Sequence, residues 1–450
     1  MPPKQQLERK FGLFAVTNIV IANMIGAGIF TTSGFLMSEL NNPVLMISLW
    51  LIGGTIALCG AFCYGELGAT FPESGGEYAF LSKLYSPLTG FLSGWVSFVV
   101  GFSAPIAASS IGLSEYLYRA APGIFQMGGL DASLTKKLFS IAVIAAFTLV
   151  HLRGVRFGAI VQNLLTLLKV FLIVALILVG FSFGTGDWNA FQSGGEFSFS
   201  FGSTKTIALS LMWIMFGYSG WNASVYIGAE IRNPQRNLPW SLLIGTGSVM
   251  LVYFLLNILF VYAIGPEEMK GVVSIGGLAV GKLFGPSLES AFSLFVAFAL
   301  FSSISAFMIL GPRVYHAMAS NGHFFNFAGW IHPKYKVPSY SIVFQGLIAI
   351  VIVLSGTFDQ ILTYMGFSLG IFPLLAVFGL IKLRLGKKNA IKLPGYPVTA
   401  IIYLLSGVTI LVFAFLERPK ESSIALLTIA IGVPAYFAFK LTRSKQHPVD

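Results

Sequence analysis

Apolar runs of about 20 residues recur along the whole chain, and nothing else in the sequence restricts the fold as strongly. A run of that length crosses the ~30 Å hydrocarbon core of a bilayer as a helix. Twelve such spans are predicted, near 11–35, 43–70, 87–119, 136–151, 157–183, 203–230, 240–264, 284–318, 339–356, 358–382, 396–416 and 422–441. Charge is correspondingly scarce: 10% of the 450 residues are Asp, Glu, Lys or Arg, and 56% are hydrophobic. Soluble domains carry about 25% charged residues. The fold class is therefore an all-α polytopic membrane protein, embedded in a lipid bilayer. The net charge of +11 does not indicate nucleic acid, because the basic residues sit in short loops between apolar runs. Placing the N-terminus in the cytoplasm puts about two thirds of the 28 Lys and Arg on that side, as orientation by positive loops requires. Both termini are then cytoplasmic, and the cell membrane is the expected location. The first apolar run is too long for a cleavable signal peptide and leads straight into the body of the chain.

Within the first run stands Met24-Ile25-Gly26-Ala27-Gly28-Ile29-Phe30. Two glycines one residue apart are unsuited to a continuous spanning helix, each costing about 1 kcal/mol against Ala. Gly also lets another group approach the main chain. Non-helical backbone at membrane depth survives only when buried in protein or lining a cavity. The reading is a helix broken to face a ligand, against the simpler reading of close helix packing at small residues. A second interruption, Phe216-Gly217-Tyr218-Ser219-Gly220-Trp221, favours the first reading, because paired breaks in corresponding segments point to a transport site. Spans one to five (11–183) and six to ten (203–382) each begin with a Gly-interrupted segment. Five is odd, so the second set must run in the opposite direction. That is an inverted repeat, followed by two additional helices (396–441) in a single transmembrane domain. The stretch from Asn321 to Trp330 is expected along the cytoplasmic face.

A broken helix offers free amides at one half-helix end and free carbonyls at the other. The amide end suits a carboxylate and the carbonyl end an ammonium group. A free α-amino acid matches both ends in one dry cavity. Its carboxylate is placed on the amides of Ala27 and Gly28 and its amine on carbonyls near Met24 and Phe216. The expected substrate-binding set is Met24, Ile25, Gly26, Ala27, Gly28, Phe216, Gly217, Ser219 and Gly220. Phe216, directly before the second interruption, is the expected aromatic gate. Tyr364 is a second gate candidate, and Phe295, Phe298 and Phe367 are further lids.

Lys169 lies about twelve residues inside span five, roughly 18 Å from its start, too deep to snorkel to either surface. An ionisable residue at that depth is a functional hypothesis by default. Its natural partners are carbonyls of the span-one break and hydroxyls such as Ser302, Ser303 or Ser305. A fixed ammonium there would do the work of a bound sodium ion, so transport is expected to be sodium-independent. Glu66, Glu73 and Glu77 are read as serving a helix end and a tight turn, and Glu230 with Arg232 and Arg236 as a gate or loop ion pair. Cys59 and Cys63, the only cysteines, read as buried thiols on one helix face. No metal, cofactor or catalytic residue is expected. The five histidines fall at span ends, loops or the tail, which leaves a membrane enzyme without a cluster, and a channel would need polar rings on several spans.

These motifs resemble the amino acid–polyamine–organocation superfamily. Gly26-Ala27-Gly28-Ile29-Phe30 resembles its GSGIF motif, with Ala for Ser. Gly65-Glu66-Leu67 through Phe71-Pro72-Glu73-Ser74-Gly75-Gly76 resembles its span-two signature. Phe216 to Asn222 and Lys169 resemble the L-type amino-acid transporter branch. The resemblance covers the whole chain. It implies a LeuT-like five-plus-five inverted repeat with helices 1 and 6 unwound, substrate-backbone recognition at both breaks, and a gate at Phe216. Ala27 departs from Ser, but a backbone amide does not need the hydroxyl. Light chains of this branch use a cysteine after span three to bind a heavy chain. Pro122 to Thr135 has none, so no disulfide-linked partner is expected and a monomer suffices.

No Asp, Glu, Lys or Arg other than Lys169 is expected inside the cavity. A cationic side chain would want a carboxylate partner there. Sodium-independent transport of neutral L-amino acids by alternating access, as an exchanger, is therefore the first reading. Proton-coupled symport and cationic amino acid or polyamine antiport are the alternatives, and a non-transporting sensor of the same fold comes after them.

Overall fold

A computed structural model describes residues 9, 11–73, 75–126, 131–153, 156–195, 198, 200–335, 337–386 and 391–446. Among these, ten helices are long and apolar enough to cross a membrane, counting 13–40 and 87–120 each as one, and Ile275–Phe284 and Ser339–Ser355 are shorter apolar helices. The helices are α1 (Leu13–Met24), α2 (Ala27–Leu40), α3 (Pro43–Thr70), α4 (Glu77–Leu84), α5 (Pro87–Val96), α6 (Ser103–Ala120), α7 (Ala132–Leu152) and α8 (Arg156–Phe183). They continue with α9 (Phe201–Gly217), α10 (Pro234–Ala263), α11 (Pro266–Met269), α12 (Ile275–Phe284), α13 (Pro286–Ser320), α14 (Ser339–Ser355), α15 (Phe358–Leu385), α16 (Val398–Glu417) and α17 (Pro419–Gln446).

The helix starts are written locally. Asn42 accepts a hydrogen bond from the Leu45 amide with Pro43 at the first helical position, and Ser86 does the same for Thr89 ahead of Pro87. Proline costs nothing there, since that N–H has no intrahelical acceptor anyway. Ser200 with Ser203, and Thr357 with Gln360, form reciprocal capping boxes at α9 and α15.

The bundle interior is mainly apolar, with a minority of polar side chains buried in it, and large apolar side chains also cover its outside. On α8, Lys169 is 2% exposed while Phe171 is 66% exposed on the lipid-facing side. Helix α10 packs on α3 and α1, and α13 packs on α6 and α8. Between α5 and α6 the chain makes a π-helical turn, Ser97–Gly101, whose loosened Phe98 carbonyl accepts from Ser103 Oγ at 3.1 Å. Such one-turn irregularities recur at functional sites. The 321–330 stretch is mostly at the surface and anchored to the bundle at two points, Phe324 and Ala328. Its 3₁₀ turn Asn326–Gly329 docks on α13 and α14, and Phe324 is buried against Phe98.

Candidate functional site

The first helix stops where the glycines predict. α1 ends at Met24, the Ile25 amide returns to the Ile21 carbonyl, and α2 begins at Ala27 with Gly26 extended at φ −132° and ψ −152°. No side chain caps α2. The amides in its first turn are those a helix leaves without an intrahelical acceptor. The second interruption is longer. α9 ends at Gly217, residues 218–222 turn, and the chain continues as 3₁₀ turns Ala223–Tyr226 and Gly228–Glu230. Gly220 takes φ +96°, a conformation open to glycine and closed to most side chains.

The two interruptions lie against each other. A Cβ on Gly28 would fall 2.4 Å from the Gly217 Cα, and one on Gly220 would fall 2.8–2.9 Å from three atoms of Asn23. Both contacts are possible only because the Cβ is missing. The Met24 carbonyl accepts from Tyr253 Oη at 2.6 Å, and the Phe216 carbonyl from the Ser219 amide at 2.9 Å. Lys169 Nζ donates to the Ala22 carbonyl at 3.1 Å and to the Ile25 carbonyl, and stands 3.5 Å from Ser302 Oγ. It thus sits on the carbonyl end of α1, where half-helix polarity favours a cation. Ser303 Oγ is buried without a partner and lies 3.4 Å from the Cβ position of Gly26.

A cavity of about 170 Å³ opens beside this crossing. Asn23, Phe216, Ser219, Gly220 and Asn222 line it, with Ser93 and Ser97 of the α5 end and π turn opposite. Of the predicted substrate residues, Phe216, Ser219 and Gly220 reach its wall; Met24, Ile25, Gly26, Ala27, Gly28 and Gly217 are in the crossing itself and do not line it. Two side chains go elsewhere than expected. Ser305 Oγ pairs with His151 Nε2 at 3.1 Å, one turn beyond Ser302, and not with Lys169. Tyr364 Oη pairs with Thr428 Oγ1 at 2.9 Å and faces α17, so α15 presents Met365, Gly366 and Leu369 to the cavity instead. Phe295, Phe298 and Phe367 do not line it either.

The three glutamates in and just after the span-two signature separate into three tasks. Glu73 joins Lys83 at the surface. Glu66, 2% exposed, takes a two-pronged bond from the Arg384 guanidinium and a third from the Leu393 amide. Glu77 corrects the expectation of a cavity free of acidic residues: it lines the wall. Its carboxylate accepts from Tyr64 Oη at 3.0 Å, from Asn222 Nδ2 at 2.6 Å and from Tyr226 Oη. Burial pushes the Glu77 carboxyl above its ordinary range, and these donors pull the other way. Gly76, at φ +55°, makes the approach possible, since a Cβ there would lie 2.4 Å from the Tyr226 ring. The doubled glycine before Glu77 was a usable signal for this packing. Nothing local marks Tyr253 as the partner of Met24. Glu230 and Arg232 meet Phe11 through the backbone: the Phe11 amide bonds the Glu230 carbonyl at 3.0 Å and the Arg232 amide the Phe11 carbonyl at 2.9 Å. Cys59 and Cys63 are buried free thiols, as expected.

A bundle of long apolar helices, with two interruptions packed against each other beside a small, mainly apolar cavity, defines a multi-pass membrane carrier. The amino acid permease family model matches residues 11–434. The chain belongs to that family, in the amino acid–polyamine–organocation superfamily and on its L-type transporter branch. It is 29% identical to the mouse b(0,+)-type amino acid transporter 1 over 443 residues, 96% of this chain and 88% of that one. It is 27% identical to the mouse Asc-type amino acid transporter 1 over 447 residues, 98% of this chain and 82% of that one. It is 28% identical to the rabbit large neutral amino acids transporter small subunit 2 over 443 residues, 96% and 80% of the two chains. The function class is amino acid transport, not enzymatic catalysis.

Proposed function

We propose that this chain is a sodium-independent carrier of neutral L-amino acids that works by exchange. The observation that carries the proposal is Lys169, whose ammonium occupies the Ala22 and Ile25 carbonyls and approaches Ser302 Oγ. A cation supplied by the protein makes a bound sodium ion unnecessary at that position. The substrate carboxylate meets the uncapped start of α2 at Ala27 and Gly28, with the unpartnered Ser303 hydroxyl close by. The amine meets carbonyls of Met24 and Phe216, each with a second lone pair left after its present bond. Phe216 closes over the bound molecule as the gate. Neutral side chains come first because Glu77, the one carboxylate among the described residues lining the cavity, already holds three donors.

In this reading twelve spans form the five-plus-five inverted repeat with two added helices, both termini face the cytoplasm, and the protein works in the cell membrane as a single chain. Alternating access rocks one repeat against the other around the crossing. Counterflow into liposomes holding the purified protein tests it. Labelled alanine and leucine are expected to enter only when unlabelled substrate is inside, at equal rates in sodium and choline media. Uptake that needs sodium removes the role given to Lys169. Net uptake driven by an inward proton gradient without internal substrate favours symport, and preference for arginine over alanine and leucine favours the cationic antiporter.

A further inference from the structure

Among the described residues lining the cavity, Glu77 is the one charged side chain, and every hydrogen-bond partner it has is neutral. Two of these partners, Asn222 and Tyr226, also line the cavity, and Asn222 is the one with an amide. Asn222 donates to Glu77 Oε1 through its amide nitrogen at 2.6 Å, beside the Tyr64 hydroxyl that donates to the same oxygen. That settles the orientation of a side chain whose two ends otherwise look alike. The amide oxygen is therefore turned away from Glu77, and no donor reaches it among the described residues. Asn222 stands two residues beyond Gly220, directly after the turn that packs on Asn23. Apart from hydroxyls such as Ser93, Ser97 and Ser219, the wall is largely apolar.

From this we infer that Glu77 and Asn222 form a specificity pair: Glu77 is a positioning residue that locks Asn222 with its oxygen toward the substrate's side chain. The inference rests on the carrier reading above and narrows its substrate class. A fixed acceptor in an apolar wall selects neutral amino acids whose side chain carries a donor, a hydroxyl or an amide, over apolar isosteres. Filling the site with the isostere leaves the acceptor buried and unpaired, which is the asymmetry by which polar sites discriminate. Threonine and valine are the matched pair, alike in shape and different in one donor. Three rings fix the arrangement: Tyr64 and Tyr226 hold the carboxylate, and Tyr64 packs at 4.7 Å on Trp221, next to Asn222.

The test compares counterflow of threonine and valine on the full-length protein in liposomes. The readout is the ratio of their kcat/KM values, which does not depend on how much protein inserts. The unaltered protein is expected to favour threonine by about tenfold or more, the factor that one lost hydrogen bond of roughly 1.4 kcal/mol gives. Glu77→Gln, whose own amide lets Asn222 turn, brings the ratio toward one. Asn222→Ala does the same, and adding Glu77→Gln to it changes nothing further. A ratio near one in the unaltered protein, or an unchanged ratio in either single variant, overturns the inference. Should Glu77→Gln fail to fold, the unaltered protein and Asn222→Ala decide. Alanine and leucine run alongside: if they too fail to move, the carrier reading falls and this inference with it; if they move while threonine and valine are treated alike, only this inference falls.

Discussion

Gly28 and Gly217, 189 positions apart in the chain, touch so closely that a Cβ on the first would lie only 2.4 Å from the Cα of the second. This contact joins the start of α2 to the end of α9 and brings the two interruptions to one place. Whatever moves the first segment must therefore move or release the second.

Gly28→Ala is expected to force these backbones apart. Overpacking of this kind costs about 1–3 kcal/mol. Transport should fall at least tenfold while the protein still reaches the membrane with a lower thermal midpoint, read by flux and by thermal unfolding in detergent. Gly12→Ala, where a Cβ meets nothing within 4 Å, is the matching control and should behave as the unaltered protein.

Lys169→Ala removes the cation from the Ala22 and Ile25 carbonyls and leaves both buried without that partner. Each unsatisfied group costs about 1–3 kcal/mol. Counterflow should be strongly impaired with the protein still in the membrane. Normal rates in this variant would take Lys169 out of the mechanism.

Arg384→Ala strips the bidentate partner from Glu66, which is 2% exposed. Leaving a buried charge unpaired costs about 3–5 kcal/mol. The variant should unfold at markedly lower temperature, and Glu66→Gln in the same background should recover much of the loss. A thermal midpoint within a degree of the unaltered protein for Arg384→Ala refutes this account of the pair.

The buried Glu77 carboxyl also predicts a pH dependence. Burial raises it above the ordinary value of 4.5, so the folded protein holds this proton more tightly than the unfolded chain does. Its contribution to stability is then fully present below 4.5 and is lost as pH rises through the higher folded value. Thermal midpoints measured from acid toward neutral pH should decline by this term, and Glu77→Gln should flatten that part of the profile. A steeper decline in the variant would mean that another group carries the effect.

Much of the architecture was readable from residue order alone. Apolar runs of membrane-spanning length locate most of the long helices within a few residues, because in lipid the backbone must satisfy itself along each run. Gly26 and Gly28 mark the first interruption for the same local reason, and so does the Phe216–Gly220 stretch for the second. Lys169 announces itself because a charge at that depth needs a partner.

Which partner it finds is a different matter. Ser302 and Ser305 are one turn apart and equal in chemistry, yet Lys169 approaches the first and His151 takes the second. Tyr364 carries the ring expected of a gate, but the packing of α15 on α17 turns it to Thr428. Glu77 sits in a turn that reads as a simple helix start, and only the approach of α4 to the 3₁₀ turn after α9 makes it a wall of the cavity. Local order thus determined where the chain is helical, where it breaks and which residues cannot be left alone in lipid, since those are properties of short segments in a fixed solvent. The tertiary structure decided which group meets which, because a hydrogen bond across more than a hundred residues depends on how whole helices pack, and no short segment encodes that.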